Sequence, residues 1–130
     1  MSLLVDTNIC IGWFKGDARI RKRWLANPPD ALRLSAIVKA ELLYGARKSS
    51  RVEENLRSLQ QLFAVVPSIA FDDDAAHWYG VIRSDLSKRG KPLGPNDLMI
   101  AATALANDLT VVTRNMREFV RVPGLRLEEW

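Results

Sequence analysis

The 130-residue sequence predicts an α/β fold with a short, mainly parallel sheet of four to five strands. Short runs rich in Leu and Val recur along the chain, as expected of parallel strands that are buried on both faces. Longer segments with apolar residues at helical spacing separate these runs. Strands that alternate with helices form βαβ units, so the sheet should be parallel and should bind ligands at the C-terminal ends of its strands.

Four apolar runs and a weaker fifth are the candidate strands. The first run, Leu3–Val5, leads directly into Asp6, which places a carboxylate where α/β proteins bind their ligands. The predicted strands are Leu3–Val5, Leu32–Leu34, Ala64–Val66 and Thr110–Val112, with the weaker one at Leu125–Leu127.

Seven helical segments fill the intervals between these strands. Polar residues precede several of them, and we expect Asn8, Ser35 and Asp72 to act as N-caps. The run Asp72-Asp73-Asp74 is explained by capping and by the helix dipole, so we do not interpret it as a metal site. The predicted helices are Ile9–Phe14, Ala18–Leu25, Ala36–Ala46, Glu53–Leu62, Asp73–Lys88, Asn96–Ala106 and Met116–Phe119.

The composition is typical of a single soluble domain, which we assign to residues 1–130. Hydrophobic residues make up 48% of the chain and charged residues 26%. No signal peptide is visible, and no apolar run approaches the ~20 residues of a membrane helix. The single cysteine, Cys10, cannot form an intrachain disulfide. We therefore expect a cytoplasmic protein that has no membrane partner.

Three carboxylates occupy corresponding places near the predicted C-terminal edge of the sheet. Asp6 follows the first strand, Glu41 lies in the helix after the second strand, and Asp97 begins the apolar helix of LMIAATALA. Neither Glu41 nor Asp97 has a base three or four residues away, so neither has a local helix partner. Two ordinary interpretations remain open, namely a partly exposed helix glutamate and a helix-start aspartate.

Carboxylates that are brought close together repel one another, and a hard divalent cation relieves that repulsion. A carboxylate-held Mg²⁺ or Mn²⁺ that keeps its waters can generate hydroxide and stabilise charge on a phosphate. The net charge of +4 also suits a polyanionic partner. With one histidine, His77, the chain offers neither a histidine-based zinc site nor a histidine pair for acid–base catalysis.

Four segments, in order, resemble the PIN-domain ribonucleases, and specifically the VapC-type toxins of bacterial toxin–antitoxin pairs. The first three contain Asp6, Glu41 and Asp97 in the acidic motifs, and the fourth resembles the closing strand, turn and tail. The segments are LLVDTNICI, SAIVKAELLYGARKS, KPLGPNDLMIAATALAND and LTVVTRNMREFVRVPGLRLEEW. The match runs nearly from one end of the chain to the other.

The resemblance implies a three-layer α/β/α PIN-like fold and a Mg²⁺- or Mn²⁺-dependent endoribonuclease. Asp6, Glu41 and Asp97 would bind the metal, and the products would carry a 5′-phosphate and a 3′-hydroxyl. It also implies a VapB-type antitoxin, a homodimer and a toxin–antitoxin hetero-oligomer. The dimer contact would use Trp13 with Phe14, or Leu42, Leu43 and Tyr44. The expected substrate is a structured RNA, such as the anticodon loop of initiator tRNA.

The sequence departs from the family pattern after the fourth strand. Many members have an acid in a Thr-x-Asp turn, whereas this chain reads Thr113-Arg114-Asn115. Asn115 adds no negative charge, although Glu118 lies close enough in sequence to substitute. We therefore expect one well-occupied metal site and not a symmetric pair. The alternative function is a degenerate PIN domain that binds RNA without cleaving it.

Further side chains are candidates for supporting roles. Thr7, Asn8, Asn96 and Thr113 can hydrogen-bond a carboxylate or a metal-bound water. Asn8 and Asn96 can instead serve only as helix caps. The residues proposed to contact RNA are basic: Arg47, Lys48, Arg83, Lys91, Arg114 and Arg117.

Overall fold

The computed structural model describes residues 2–130 and contains a five-stranded sheet flanked by helices. All four strand pairings are parallel, which confirms the predicted α/β/α fold class. The strands are β1 (Leu3–Val5), β2 (Leu32–Ser35), β3 (Ser68–Ile69), β4 (Thr110–Thr113) and β5 (Arg126–Glu129). The helices are α1 (Thr7–Phe14), α2 (Ala18–Leu25), α3 (Ala36–Arg47), α4 (Val52–Val65), α5 (Asp73–Lys88), α6 (Pro95–Ala106) and α7 (Met116–Phe119).

The strand order, β3-β2-β1-β4-β5, places β1 at the centre of the sheet. The chain runs outward from β1 to β3 in one direction and then returns to lay β4 on the other side of β1. The order therefore reverses between β1 and β4, and in open α/β sheets ligands bind in the crevice at such a switch point. Leu3 is in register with both Leu32 and Thr110, so the C-terminal ends of the central strands lie side by side.

The central strands are apolar because helices cover both of their faces. Every residue of β1 and β4 is buried. The β3 and β5 edges are more polar, since an edge strand is covered less completely. An aromatic cluster joins the first two helices to the end of β5. The ring centroids of Trp13 and Trp24 are 4.8 Å apart, and those of Trp24 and Trp130 are 6.4 Å apart.

Two of the five predicted strands need correction. Ala64–Val66 is not a strand, because α4 extends to Val65 and β3 begins only at Ser68. Ala64 and Val65 form the exposed end of α4 and only Val66 is buried, and short apolar runs do not distinguish helix from strand by periodicity. The fifth strand is shifted from Leu125–Leu127 to Arg126–Glu129.

The N-cap predictions are confirmed at two positions and wrong at two. Ser35 Oγ accepts a bond from the Val38 amide at 3.1 Å, and Asp72 accepts one from Ala75 at 3.0 Å. Asn8 is not a cap, because α1 starts earlier and Asp6 is its N-cap residue. Asn96 is not a cap either, since α6 begins at Pro95 after Gly94. Within residues 2–130, no helix has the length and hydropathy needed to cross a membrane.

Candidate active site

A cavity of about 400 Å³ opens at the C-terminal edge of the sheet, beside the switch point between β1 and β4. Asp6, Glu41 and Asp97 all line it, so the structure brings together the three carboxylates singled out in the sequence. The full lining consists of Asp6, Thr7, Asn8, Ile11, Glu41, Asp97, Arg114 and Asn115. In the described part of the chain, no lysine or arginine forms an ion pair with any of the three carboxylates.

Asp6 lies directly after β1 and is only 4% exposed. Its backbone amide continues the sheet by donating to the Val112 carbonyl at 2.9 Å. Its Oδ1 accepts a bond from the Thr7 amide at 2.8 Å, and its Oδ2 accepts one from Thr113 Oγ1 at 2.7 Å. Burial raises the pKa of Asp6, the Thr113 and Thr7 hydrogen bonds oppose that rise, and the nearby charge of Glu41 adds to it.

Glu41 projects from α3, the helix that Ser35 caps at the end of β2. Ile37, Val38 and Leu42 on the same helix are buried, which fixes the rotation of α3 and leaves Glu41 half-buried. Thr7 Oγ1 donates to Glu41 Oε1 at 3.0 Å. Thr7 therefore bonds Asp6 through its amide and Glu41 through its hydroxyl, and it connects the two carboxylates.

Asp97 lies in the first turn of α6, where Gly94 supplies no side-chain cap. The pKa of Asp97 is raised to about 6, first by burial and then by the charges of Asp6, Glu41 and Glu118. The hydrogen bond from Asn115 Nδ2 to Asp97 Oδ2, at 3.1 Å, opposes this rise. At neutral pH the cavity thus concentrates negative charge that the described residues do not neutralise.

The turn after β4 supports two of the acids at once. Thr113 is fully buried, and its hydroxyl accepts a bond from the Asn115 amide at 2.9 Å while it donates to Asp6. Asn115 uses its side chain to bond Asp97. The asparagine that the resemblance places at the family's fourth acidic position therefore donates to a carboxylate. The structure thus places both predicted supporting residues within hydrogen-bonding distance of an acid.

The remaining polar candidates are placed differently. Asn8 lines the cavity, and its Oδ1 accepts a bond from the Arg114 amide at 3.4 Å. Asn96 is exposed and does not line the cavity. Glu118 also lies outside the lining and forms an ion pair with Arg121 at 3.2 Å, although its charge reaches Asp97. Asp72, Asp73 and Asp74 are exposed and do not line the cavity.

Of the six basic residues predicted to contact RNA, Arg114 alone lines the cavity. Arg83 donates to the Tyr79 hydroxyl at 3.0 Å, and Lys48 Nζ lies 5.2 Å from the centre of the Tyr44 ring. Arg47, Lys91 and Arg117 are exposed on other parts of the surface.

Ile11 is a lining residue that the sequence did not identify. This apolar residue is 41% exposed. Its position four residues after Thr7 on α1 was the available signal, because residues at that spacing share a helix face. Cys10, by contrast, is fully buried, and burial raises the pKa of its thiol. It is therefore not a thiolate nucleophile at neutral pH.

Comparison with known proteins identifies the family to which this site belongs. A model of the PIN domain matches residues 3–125. The tRNA(fMet)-specific endonuclease VapC of Salmonella typhimurium is 40% identical over 131 residues, which cover 100% of this chain and 98% of that protein. The chain belongs to the VapC group of PIN-domain proteins. Ribonuclease VapC2 of Rickettsia felis is 36% identical over 132 residues, again 100% of this chain and 98% of the relative.

Solved structures of VapC proteins share the fold of this PIN domain throughout. DNA-bound VapBC from Salmonella typhimurium has a chain with a TM-score of 0.94 and 40% identity, covering 100% of this chain and 98% of that one. VapBC2 from Rickettsia felis, bound to a DNA fragment from its promoter, gives a TM-score of 0.91 and 35% identity, with 100% and 99% covered. The predicted PIN-like fold is thereby confirmed.

The acidic cavity of this PIN domain fits a divalent cation by the chemistry of its donors. Asp6 is buried, Asp97 is half-buried, and no base pairs with either, so an oxygen-preferring cation would relieve an uncompensated charge. Within residues 2–130, no three histidine, cysteine or acidic side chains are grouped closely enough to hold a metal by themselves. The donor set therefore suits an oxygen-preferring divalent cation that completes its coordination with waters.

Proposed function

We propose that this protein is the toxin of a VapBC-type pair and a Mg²⁺- or Mn²⁺-dependent endoribonuclease. The convergence of Asp6, Glu41 and Asp97 in one open cavity, without a basic partner, carries this proposal. The relatives named endonuclease and ribonuclease support it at full chain coverage. A bound divalent ion would supply an activated water and neutralise charge on the phosphate.

The residues of the chain have distinct roles in this proposal. Asp6 and Asp97 hold the cation, and Glu41 bonds a metal-bound water or completes the binding. Thr7 and Thr113 fix the Asp6 carboxylate through bonds of 2.8 and 2.7 Å. Asn115 orients Asp97 and adds no charge, so the site holds one tightly bound cation and not two.

We infer that the substrate is a structured RNA cut in a single-stranded loop, with initiator tRNA as the first candidate. The name of the Salmonella relative, a tRNA(fMet)-specific endonuclease, supports that choice. Loops are also where proteins generally recognise RNA by sequence, because unstacked bases expose their edges. Hydrolysis would leave a 5′-phosphate and a 3′-hydroxyl.

The partners belong to the same proposal. The VapBC complexes among the structural relatives support a VapB antitoxin as the partner. In our proposal this antitoxin covers the acidic cavity. In the cytoplasm, the toxin would form a homodimer and, with VapB, a larger hetero-oligomer. Phe14, Leu43 and Tyr44 are exposed by 39%, 37% and 67% and can contribute to a contact. Leu42 cannot, because it is only 7% exposed and packs in the core.

The deciding experiment measures RNA cleavage and RNA binding separately. The purified chain, free of antitoxin, is incubated with total tRNA in Mg²⁺, Mn²⁺ or EDTA, and new 5′ ends are mapped. We expect one metal-dependent cut that Asp6→Asn abolishes while RNA binding persists. Asp108→Asn is the matched control, because it makes the same chemical change outside the cavity lining at a side chain that is 88% exposed. RNA binding without cleavage under any metal would favour the non-catalytic module.

A further inference from the structure

The acidic cavity presents an electrostatic problem to an RNA substrate. A phosphodiester that enters it approaches three carboxylates, and like charges repel strongly in a partly desolvated site. Within the described lining, Arg114 is the one basic side chain. Its contacts therefore show whether it can bind an anion at the cavity or has only a structural role.

The Arg114 guanidinium is held by two groups other than the three carboxylates of the cavity. Its Nη2 forms an ion pair with Asp17 Oδ2 at 3.0 Å, and its Nε donates to the main-chain oxygen of Trp130 at 2.9 Å. Asp17 is itself fixed, because its Oδ1 caps α2 by accepting from the Ile20 amide at 3.1 Å. The hydrogen bond from the Ile20 amide, together with the hydrogen bond and charge of Arg114, holds the pKa of Asp17 below its usual value. Asp17 therefore stays ionised beside Arg114.

This arrangement keeps Arg114 away from the acids and leaves part of its hydrogen-bonding capacity unused. A guanidinium has five N–H donors, and the Asp17 and Trp130 contacts use two of them. The side chain remains 41% exposed. An arginine that paired with Asp6 or Asp97 would compete with a cation, whereas an arginine anchored by Asp17 offers its free edge to an incoming anion.

We propose that Arg114, anchored by Asp17 and Trp130, binds a backbone phosphate of the RNA at the rim of the acidic cavity. The proposal rests on the proposed ribonuclease function and adds the group that brings the phosphodiester to the carboxylates. Asp17 is a positioning residue in this scheme, since it acts only through Arg114. Because the anchoring contacts already fix the guanidinium, little side-chain entropy is lost when the phosphate binds.

A second arginine provides a matched control at the opposite end of β4. Arg126 forms an ion pair with Asp108 at 2.9 Å and donates to the Asp108 carbonyl at 2.8 Å. Its side chain is 44% exposed, close to the 41% of Arg114. It lies in register with Thr110, at the beginning of the strand pair, and it does not line the cavity. Removing it deletes the same charge and a similar pair of contacts.

The test measures binding of fluorescein-labelled total tRNA across a salt series, in the full chain that carries Asp6→Asn to prevent cleavage. We expect Arg114→Ala to weaken binding about tenfold, as loss of a charge-assisted hydrogen bond would. The slope of log affinity against log salt should fall by about 1, because one phosphate contact is lost. Arg126→Ala should change neither quantity.

Two further variants separate phosphate binding from a structural role. Arg114→Lys keeps the charge, so it should retain the salt slope while losing part of the affinity. Asp17→Asn should weaken binding less than Arg114→Ala and leave the slope unchanged, because Arg114 keeps its charge. Thermal melts establish that each variant is folded.

The outcomes distinguish the two proposals. A salt slope that is unchanged in Arg114→Ala, or that falls equally in Arg126→Ala, overturns the phosphate-binding role of Arg114 alone. If the wild-type chain cleaves no tRNA with any metal, the ribonuclease proposal fails, whatever the binding data for Arg114.

Discussion

The two ends of β4 hold similar side chains that form opposite kinds of contact. At the beginning of the strand, Arg126 and Asp108 form a direct ion pair at 2.9 Å. At its end, Asp6, Glu41 and Asp97 gather without an ion pair, and Arg114 beside them pairs with Asp17 instead. Each acid at that end bonds only to neutral donors, from Thr7, Thr113 and Asn115.

The difference shows how an α/β fold separates stability from chemistry. An exposed ion pair such as Arg126–Asp108 satisfies its own charges and contributes at most modestly to stability. Hydrogen bonds from neutral donors fix carboxylates in position without neutralising their charge. Such carboxylates stay available to a cation. The C-terminal end can hold such groups because helix starts and strand ends expose polar atoms there.

The largest effect should come from removing one carboxylate at the C-terminal end. Asp97→Asn should lower metal-dependent RNA cleavage by at least about 100-fold, the range for losing one strong electrostatic stabiliser. Asp108→Asn at the other end should leave the rate unchanged, since asparagine also tolerates the positive φ of 54° found there. The measurement is initial cleavage rate under saturating Mn²⁺, and equal losses in the two variants would contradict the comparison.

The second effect concerns the neutral donors. Thr113→Val should lower cleavage about 10- to 100-fold, because Asp6 loses its 2.7 Å hydrogen bond and its orientation. It should also destabilise the fold by about 1–3 kcal/mol, since the buried Asp6 carboxylate and the part-buried Asn115 amide each lose a partner. Thr113→Ser keeps the hydroxyl and should restore most of the activity. Urea titrations and cleavage rates test both statements, and a Ser variant as poor as Val would refute the hydrogen-bond explanation.

The third effect is a pH dependence of stability in EDTA. The pKa of Asp97 is about 6 in the folded chain, against an ordinary value of 3.8. Between these values the folded state binds more protons, so this group destabilises the fold as pH rises toward 6, and the penalty is complete above it. Asp97→Asn should therefore raise the melting temperature at pH 7.5, by about 2–4 °C, and should raise it less at pH 5, where only part of this penalty is present.

Added Mn²⁺ should reproduce that stabilisation in the wild-type chain. At pH 7.5 the cation binds only the folded state and offsets the carboxylate repulsion, so the melting temperature should rise with its concentration. At pH 5 the proton competes and the rise should be smaller. A melting temperature that does not depend on Mn²⁺ at pH 7.5 would exclude this site as a cation site.

The smallest effect should come from the ion pair at the start of β4. Arg126→Ala should cost at most about 1 kcal/mol of unfolding free energy, since both partners are exposed. Cleavage should not change, because Arg126 lies outside the cavity lining. Calorimetric melts at low and high salt provide the measurement, and the loss should shrink as salt screens the pair. A loss of several kcal/mol, or of activity, would show that the two ends are coupled.

Local sequence determined much of the framework. The Leu and Val runs of β1 and β4 specified central strands that are buried throughout, and Ser35 and Asp72 specified two helix starts. The local sequence pattern gave a wrong prediction at Ala64–Val66, because a short apolar run fits either a strand or the last turn of a helix. The structure has a helix there, α4, which packs against α3 and ends at Val65.

By itself, the sequence determined that Asp6 ends a buried strand and that Glu41 and Asp97 have no base nearby along their helices. Only the tertiary structure decided what holds them. The bond between Thr113 and Asp6 spans 107 residues, that between Thr7 and Glu41 spans 34, and that between Asn115 and Asp97 spans 18. Helical and strand periodicity describe only local geometry. The hydrogen-bond partners of a carboxylate at a strand end are therefore fixed only when the parallel strands align their ends and bring distant segments together.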